Sequence, residues 1–155
     1  MRILIDAMGG DNAPLEIIKG VVLAKKEYSE HEYALVGNEN VISDIAVKNN
    51  LDISGVEIID SVSVISMEDN PLSVIRDKKN SSMSVGLKHL ADGDGDAFVS
   101  AGNTGALITG ATIIVKRIAG ISRAAIASVL PLSNPVLLMD SGANLHRICY
   151  TVEYK

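Results

Sequence analysis

Tryptophan is absent from this 155-residue chain, and phenylalanine and cysteine each occur once. With Cys149 alone, an intramolecular disulfide and a cysteine-rich metal site are both excluded. With aromatics at 3% and hydrophobic residues at 47%, the core has to be built from Ile, Val, Leu, Ala and Met. Such an aliphatic, β-branched interior suits a parallel sheet covered on both faces. Basic residues are also in deficit, 14 against 19 acidic ones for a net charge of −5. That excludes the basic stripe a nucleic-acid partner requires, so no nucleic acid is expected. No apolar run approaches the ~18 residues of a membrane span. The start, "MRILIDAMGG", meets Asp6 before any signal-peptide core can form. The expectation is a soluble cytoplasmic protein.

What is there alternates. "RILID" (2–6), "YALVG" (33–37), "VEIID" (56–60) and "AFVS" (97–100) are short apolar runs that read as strands. Between them, Leu15, Ile18 and Val22 repeat at helical spacing after Pro14, and "NVISDIAVKNN" (40–50) makes a second helix. Residues 61–80 are irregular, break at Pro71 and carry the basic cluster Arg76, Lys78 and Lys79. Met83, Leu87 and Leu90 mark a third helix. Residues 104–118 are apolar on nearly all sides and predict a buried helix. "AIASVL" (126–131) and "PVLLMD" (135–140) predict two further strands. Alternation of this kind predicts a three-layer α/β/α fold with a mostly parallel sheet.

In a parallel sheet the loops that follow the strands gather at one edge, where ligands bind. Three such loops carry glycine beside Asp or Asn: "DAMGGDNAP", "SAGNTGA" and "DSGAN". Glycine lets a backbone approach a ligand closely, and first-turn N–H groups attract an anion. Ser100, Gly102, Asn103, Thr104 and Gly105 therefore predict a cradle for phosphate or a phosphorylated group. Asp6, Asp11 and Asp140 end strands or enter these loops, where a carboxylate orients a ligand or caps a helix. The spacing is neither that of a P-loop nor that of a dinucleotide fingerprint.

Other patterns carry less. "DGDGD" (92–96) starts like a calcium loop but lacks its glycine and terminal glutamate, leaving a solvated turn. His31, His89 and His146 show no metal-ligand spacing, so no metal site is expected. His146 and Cys149 lack an orienting acid. The basic cluster at 76–79 fits a solvated face or an anionic partner equally well.

Four motifs in order, "DAMGGDNAP" (6–14), "MEDNPLSVIRDKKNSSM" (67–83), "SAGNTGAL" (100–107) and "DSGAN" (140–144), closely resemble the phosphate acyltransferase family of bacterial phospholipid synthesis. The resemblance covers residues 1–144, an N-terminal half. The tail from residue 145, "LHRICYTVEYK", departs from the family's pattern and reads as a truncated end.

The resemblance implies a fold similar to isocitrate and isopropylmalate dehydrogenases. It implies transfer of a long-chain acyl group from acyl carrier protein to inorganic phosphate, without metal or nucleotide cofactor. It also implies a homodimer with peripheral membrane contact. In such a reaction phosphate is itself the nucleophile, so the protein need only position it and stabilise the developing oxyanion. The corresponding expectation gives Asn103 and Asp11 the catalytic roles. Ser100, Gly102, Thr104 and Gly105 bind phosphate or the oxyanion, Asp6, Gly9 and Gly10 shape the neighbouring wall, and Asp140, Gly142 and Asn144 close it. A phosphotransacetylase using a coenzyme A thioester, and a non-catalytic fragment that binds phosphate or pairs with a partner chain, stay open as alternatives.

Overall fold

The structure is a computed structural model that describes residues 1–121, 124, 126–131, 136–139 and 151–153. Residues 1–116 form one compact unit and 117–155 a second.

In the first unit, β1 (Arg2–Asp6), β2 (Glu32–Gly37), β3 (Glu57–Asp60) and β4 (Ala97–Val99) make a wholly parallel sheet in the order β3-β2-β1-β4. Between them run α1 (Leu15–Glu27), α2 (Glu39–Lys48) and α3 (Ser82–Asp92), and α4 (Thr104–Gly110) follows β4. The period-2 alternation of the strands splits the core. Ile5, Tyr33 and Leu35 face Ile18 and Val21 of α1 and Ile42 of α2. Leu4, Ala34 and Val36 pack on the other face, with Val85 and Leu90 of α3 and with Phe98. Helices therefore cover both faces, and the expected α/β/α layering is observed.

Local chemistry sets the helix ends. Asn38 caps α2 by accepting from the Val41 amide at 3.1 Å, and Ser81 caps α3 at Ser84. At the other end of α3, Gly93 turns left-handed at φ 86°. The acids that follow are spent on structure: Asp94 meets the His89 ring at 3.0 Å, and Asp96 accepts from the Arg2 amide at 2.7 Å. "DGDGD" is thus a turn that anchors the start of β1.

Between β3 and α3 lies a long connection, residues 61–81, that includes a short 3₁₀ turn at Pro71–Val74. With α3 and α4 it builds a separate core of Ile65, Val74, Met83, Leu87 and Ala106.

Two expectations are corrected. The apolar stretch 104–118 is not one buried helix. It is helical only to Gly110, widens to a π turn over Ala111–Val115, and stops where Lys116 takes φ 74°. Only Ala106 and Gly110 in it are buried, while Ile113 is half exposed. α4 rests one side on α3 and on the 3₁₀ turn, and an apolar run without period cannot report that it has a single packed side.

The second correction concerns the last strands. β5 (Ala127–Leu130) and β6 (Val136–Met139) pair antiparallel and, with β7 (Thr151–Glu153), form a sheet of their own. The five residues separating β5 from β6 are too few for a parallel crossover, which needs a dozen or more. β7 lies in the tail, where no element was expected. Asp140, Gly142, Asn144, His146 and Cys149 lie outside the described residues.

Candidate functional site

β1 and β4 are neighbours in register, Ile5 opposite Val99. Their outgoing loops therefore leave the same edge of the sheet side by side. Asp6, the last residue of β1, is buried at 2% exposure. One of its carboxylate oxygens accepts from the Ser100 hydroxyl at 2.8 Å, the other from the Met8 amide at 3.1 Å. Ser100 Oγ in turn accepts from the Gly102 amide at 3.1 Å. This chain of bonds compensates a buried carboxylate and sets the two loops against each other.

The glycines complete the lock. A Cβ on Gly9 would stand 2.6 Å from Asp6 Oδ2 and 3.0 Å from both Ser100 Oγ and the Gly102 nitrogen. Gly10 takes φ 110° against Ala101, a backbone that side chains rarely tolerate. The loops therefore touch backbone to backbone. The amides of Gly10, Thr104 and Gly105 find no acceptor among the described residues.

Asn103 stands at the start of α4, with its side chain engaged inside the fold. It is buried, and its Oδ1 caps α4 by accepting from the Ala106 amide at 3.0 Å. Its Nδ2 donates to the carbonyls of Ser66, Met67 and Asp69 at 3.1–3.2 Å. The side chain thus pins the β3–α3 connection to the start of α4.

A second clamp backs it. Lys78 Nζ donates to the Asp69 carboxylate and to the Val64 carbonyl, and Asp69 accepts from the Ser66 amide at 2.7 Å. The Lys78 ammonium, helped by that amide, holds the Asp69 carboxyl below its usual value. The sequence of this connection does not announce the clamp, because Val64 and the acceptors of Asn103 offer main-chain carbonyls and Lys78 meets Asp69 across nine residues. Pro71 and the Asp69-Asn70 pair were the readable signs of a fixed turn.

Of the expected residues, Asp6, Gly9, Gly10, Ser100 and Gly102 are brought together, with Asn103, Thr104 and Gly105 next to them along the chain. Thr104 is exposed at the first position of α4, and Gly105 faces Pro71. Asp11 is exposed on the first loop. Among the described residues no group of three His, Cys, Asp or Glu could hold a metal. No helix among them is long and apolar enough to cross a membrane. An apolar groove of about 530 Å³ runs between α1 and the sheet, lined by Ile3, Ile5, Ile17, Val21, Tyr33 and Val99.

A parallel sheet with interlocked glycine loops at the carboxyl ends of its strands defines the class: a layered α/β protein with its candidate site at that edge. The comparisons narrow this. The chain belongs to the fatty acid synthesis protein family, whose model matches residues 1–151.

It is 48% identical over 145 residues to a phosphate acyltransferase of Caldicellulosiruptor bescii, covering 93% of this chain and 43% of that protein. With the phosphate acyltransferase of Acetivibrio thermocellus it shares 44% identity over 156 residues, covering 100% of this chain and 45% of that protein. The chain thus spans less than half the length of these curated relatives. Among solved structures it is similar to the EutD phosphotransacetylase from Staphylococcus aureus, with a TM-score of 0.64, 20% identity, and coverage of 95% of this chain and 48% of that one. That likeness concerns the fold.

Proposed function

We propose that this chain carries the phosphate-binding part of an enzyme that moves a long-chain acyl group from acyl carrier protein to inorganic phosphate, for phospholipid synthesis. The observation that carries the reading is the Asp6–Ser100–Gly102 lock, which holds two glycine loops together at the strand ends. Relatives named phosphate acyltransferase support it. The fold we assign is of the isocitrate and isopropylmalate dehydrogenase kind, working as a homodimer in the cytoplasm with peripheral membrane contact. No cofactor takes part.

The chemistry follows from the parts. Hydrogen phosphate attacks the thioester carbonyl, the new bond being between a phosphate oxygen and the acyl carbon. The carbon–sulfur bond breaks, and the proton of the phosphate ends on the carrier's sulfur. We assign the Gly10, Thr104 and Gly105 amides and the Thr104 hydroxyl to the phosphate oxygens. Asp11 accepts the phosphate's proton and passes it on. Asp6 and Ser100 position the loops, and Asn103 acts through the connection it pins. Asp140, Gly142 and Asn144 close the far wall.

The test is release of free carrier thiol from hexadecanoyl carrier protein, with and without inorganic phosphate, beside hexadecanoyl-coenzyme A as donor. Phosphate-dependent release from the carrier is expected. Release only from the coenzyme A thioester would support a phosphotransacetylase instead. Stabilisation by phosphate without turnover from either donor would indicate a binding fragment.

A further inference from the structure

We infer that Lys78 is a positioning residue for phosphate: through Asp69 and three main-chain carbonyls it sets where the second glycine loop, residues 100–105, holds its amides. This rests on the proposed function and adds what fixes the geometry of the phosphate site.

The loop is gripped at two points. On the strand side, the Ser100 hydroxyl donates to Asp6 at 2.8 Å. On the far side, Asn103 Nδ2 meets the carbonyls of Ser66, Met67 and Asp69 at 3.1–3.2 Å. A primary amide has only two N–H bonds for those three acceptors. The negative ends of three dipoles converge on one nitrogen and repel one another, so the turn that carries them needs support from outside the loop.

Lys78 supplies that support. Its ammonium donates to the Asp69 carboxylate and, at 2.8 Å, to the Val64 carbonyl, which closes residues 64–69 from both ends. The same Asp69 oxygen accepts from the Ser66 amide at 2.7 Å, and the Asp69 amide donates to the Ser66 carbonyl at 3.3 Å.

Lys78 is itself anchored. Its amide donates to the Ser73 carbonyl at 2.8 Å, and the buried Ser84 hydroxyl of α3 donates to the Val74 carbonyl at 2.8 Å. The 3₁₀ turn is thereby fixed to α3, and its Pro71 ring bears on the glycine loop. A Cβ on Gly105 would stand 2.9 Å from Pro71 Cγ. Groups that bind an anion must be placed to within about 0.5 Å, so a shifted turn is read as lost affinity.

Charge separates positioning from simple attraction. Neutralising Lys78 makes the chain more negative, and neutralising Asp69 makes it less so. Attraction alone would weaken phosphate binding in the first case and tighten it in the second. A positioning pair weakens it in both.

The experiment titrates ¹⁵N-labelled protein with inorganic phosphate against chloride at equal ionic strength, each variant held well below its own melting temperature. Kd is read from the Gly10, Thr104 and Gly105 amides. Hydrogen exchange of the Ala106 amide, which Asn103 caps, reads the loop without ligand. Lys78→Met and Asp69→Asn are each expected to raise Kd, and to speed Ala106 exchange, by about three- to tenfold. Lys78→Arg, which keeps a cation able to reach both acceptors, should bind more tightly than Lys78→Met. Lys79→Met, the same charge change one residue on, should leave Kd within about twofold.

Kd unchanged in both variants, or raised in Lys78→Met and lowered in Asp69→Asn, would overturn the inference and leave the phosphate site. No saturable shift in the wild type, with Ala106 exchange faster in both variants, would remove the phosphate reading and leave the clamp. Unchanged exchange as well would overturn both. Should Lys78→Met fail to fold, Asp69→Asn decides alone: a lowered or equal Kd overturns the inference.

Discussion

Replacing Gly9 with alanine tests the interlocked loops at the atom where they are tightest. The added Cβ would meet Asp6 Oδ2 at 2.6 Å, with Ser100 Oγ and the Gly102 nitrogen at 3.0 Å. Gly9 does not take a left-handed backbone, so the cost is contact alone. Asp6 cannot swing aside freely, because its two oxygens are bonded to Ser100 and Met8. Overpacking a filled site costs about 1–3 kcal/mol, and giving up one of those buried bonds adds about 1 kcal/mol or more. At about 2–4 °C per kcal/mol for a chain of this size, the melting temperature should fall by roughly 4–16 °C.

Gly20 is the matched control. It lies inside α1, and a Cβ there meets nothing within 4 Å. Alanine is the better helix former by about 0.8–1.0 kcal/mol, so Gly20→Ala should raise the midpoint by a few degrees. Differential scanning calorimetry of both variants, with and without phosphate, is the assay. Gly9→Ala melting within about 2 °C of wild type would refute the interlock.

Asn103→Ala loses the cap of α4 and strips three carbonyls of their donor, a cost of about 2–3 kcal/mol read by urea unfolding. Asn103→Asp keeps an acceptor for the cap but turns a carboxylate on those carbonyls, and should be less stable than the alanine variant. Ser100→Ala leaves the buried Asp6 carboxylate with one donor, costing about 1–3 kcal/mol; equal unfolding midpoints would show the hydroxyl to be idle. Because Lys78 lowers the Asp69 carboxyl, folding gains from that pair at pH above the unfolded value of 3.8. The gain is lost as pH falls through the lower folded value. The stability difference between wild type and Asp69→Asn should therefore be constant near neutral pH and shrink in acid. A difference independent of pH down to strong acid would refute the pairing.

The first three strands and two helices were legible because "RILID" is an unbroken apolar run of strand length, as a buried strand should be, and the apolar residues from Leu15 to Val22 keep a period near 3.6. The glycine loops were legible in place but not in cause. Gly9 is expected from sequence to shape the wall of a ligand site, and the structure adds why it has no side chain: the space a Cβ would take is filled by Asp6, Ser100 and Gly102. Asn103 was read as a ligand donor, yet its amide is occupied by three backbone carbonyls from a segment more than thirty residues away. Main-chain acceptors leave no mark in a sequence, so no pattern could have shown this. The antiparallel pairing of β5 and β6 was readable in principle, since a five-residue connection forbids a parallel crossover.

The central claim is that the interlocked loops present amides to phosphate. It is tested most directly by titrating ¹⁵N-labelled protein with inorganic phosphate and following backbone amide shifts. Saturable shifts at Gly10, Thr104 and Gly105, absent with chloride at equal ionic strength, are the predicted result. Shifts confined to the Arg76–Lys79 segment, or none that saturate, would contradict it.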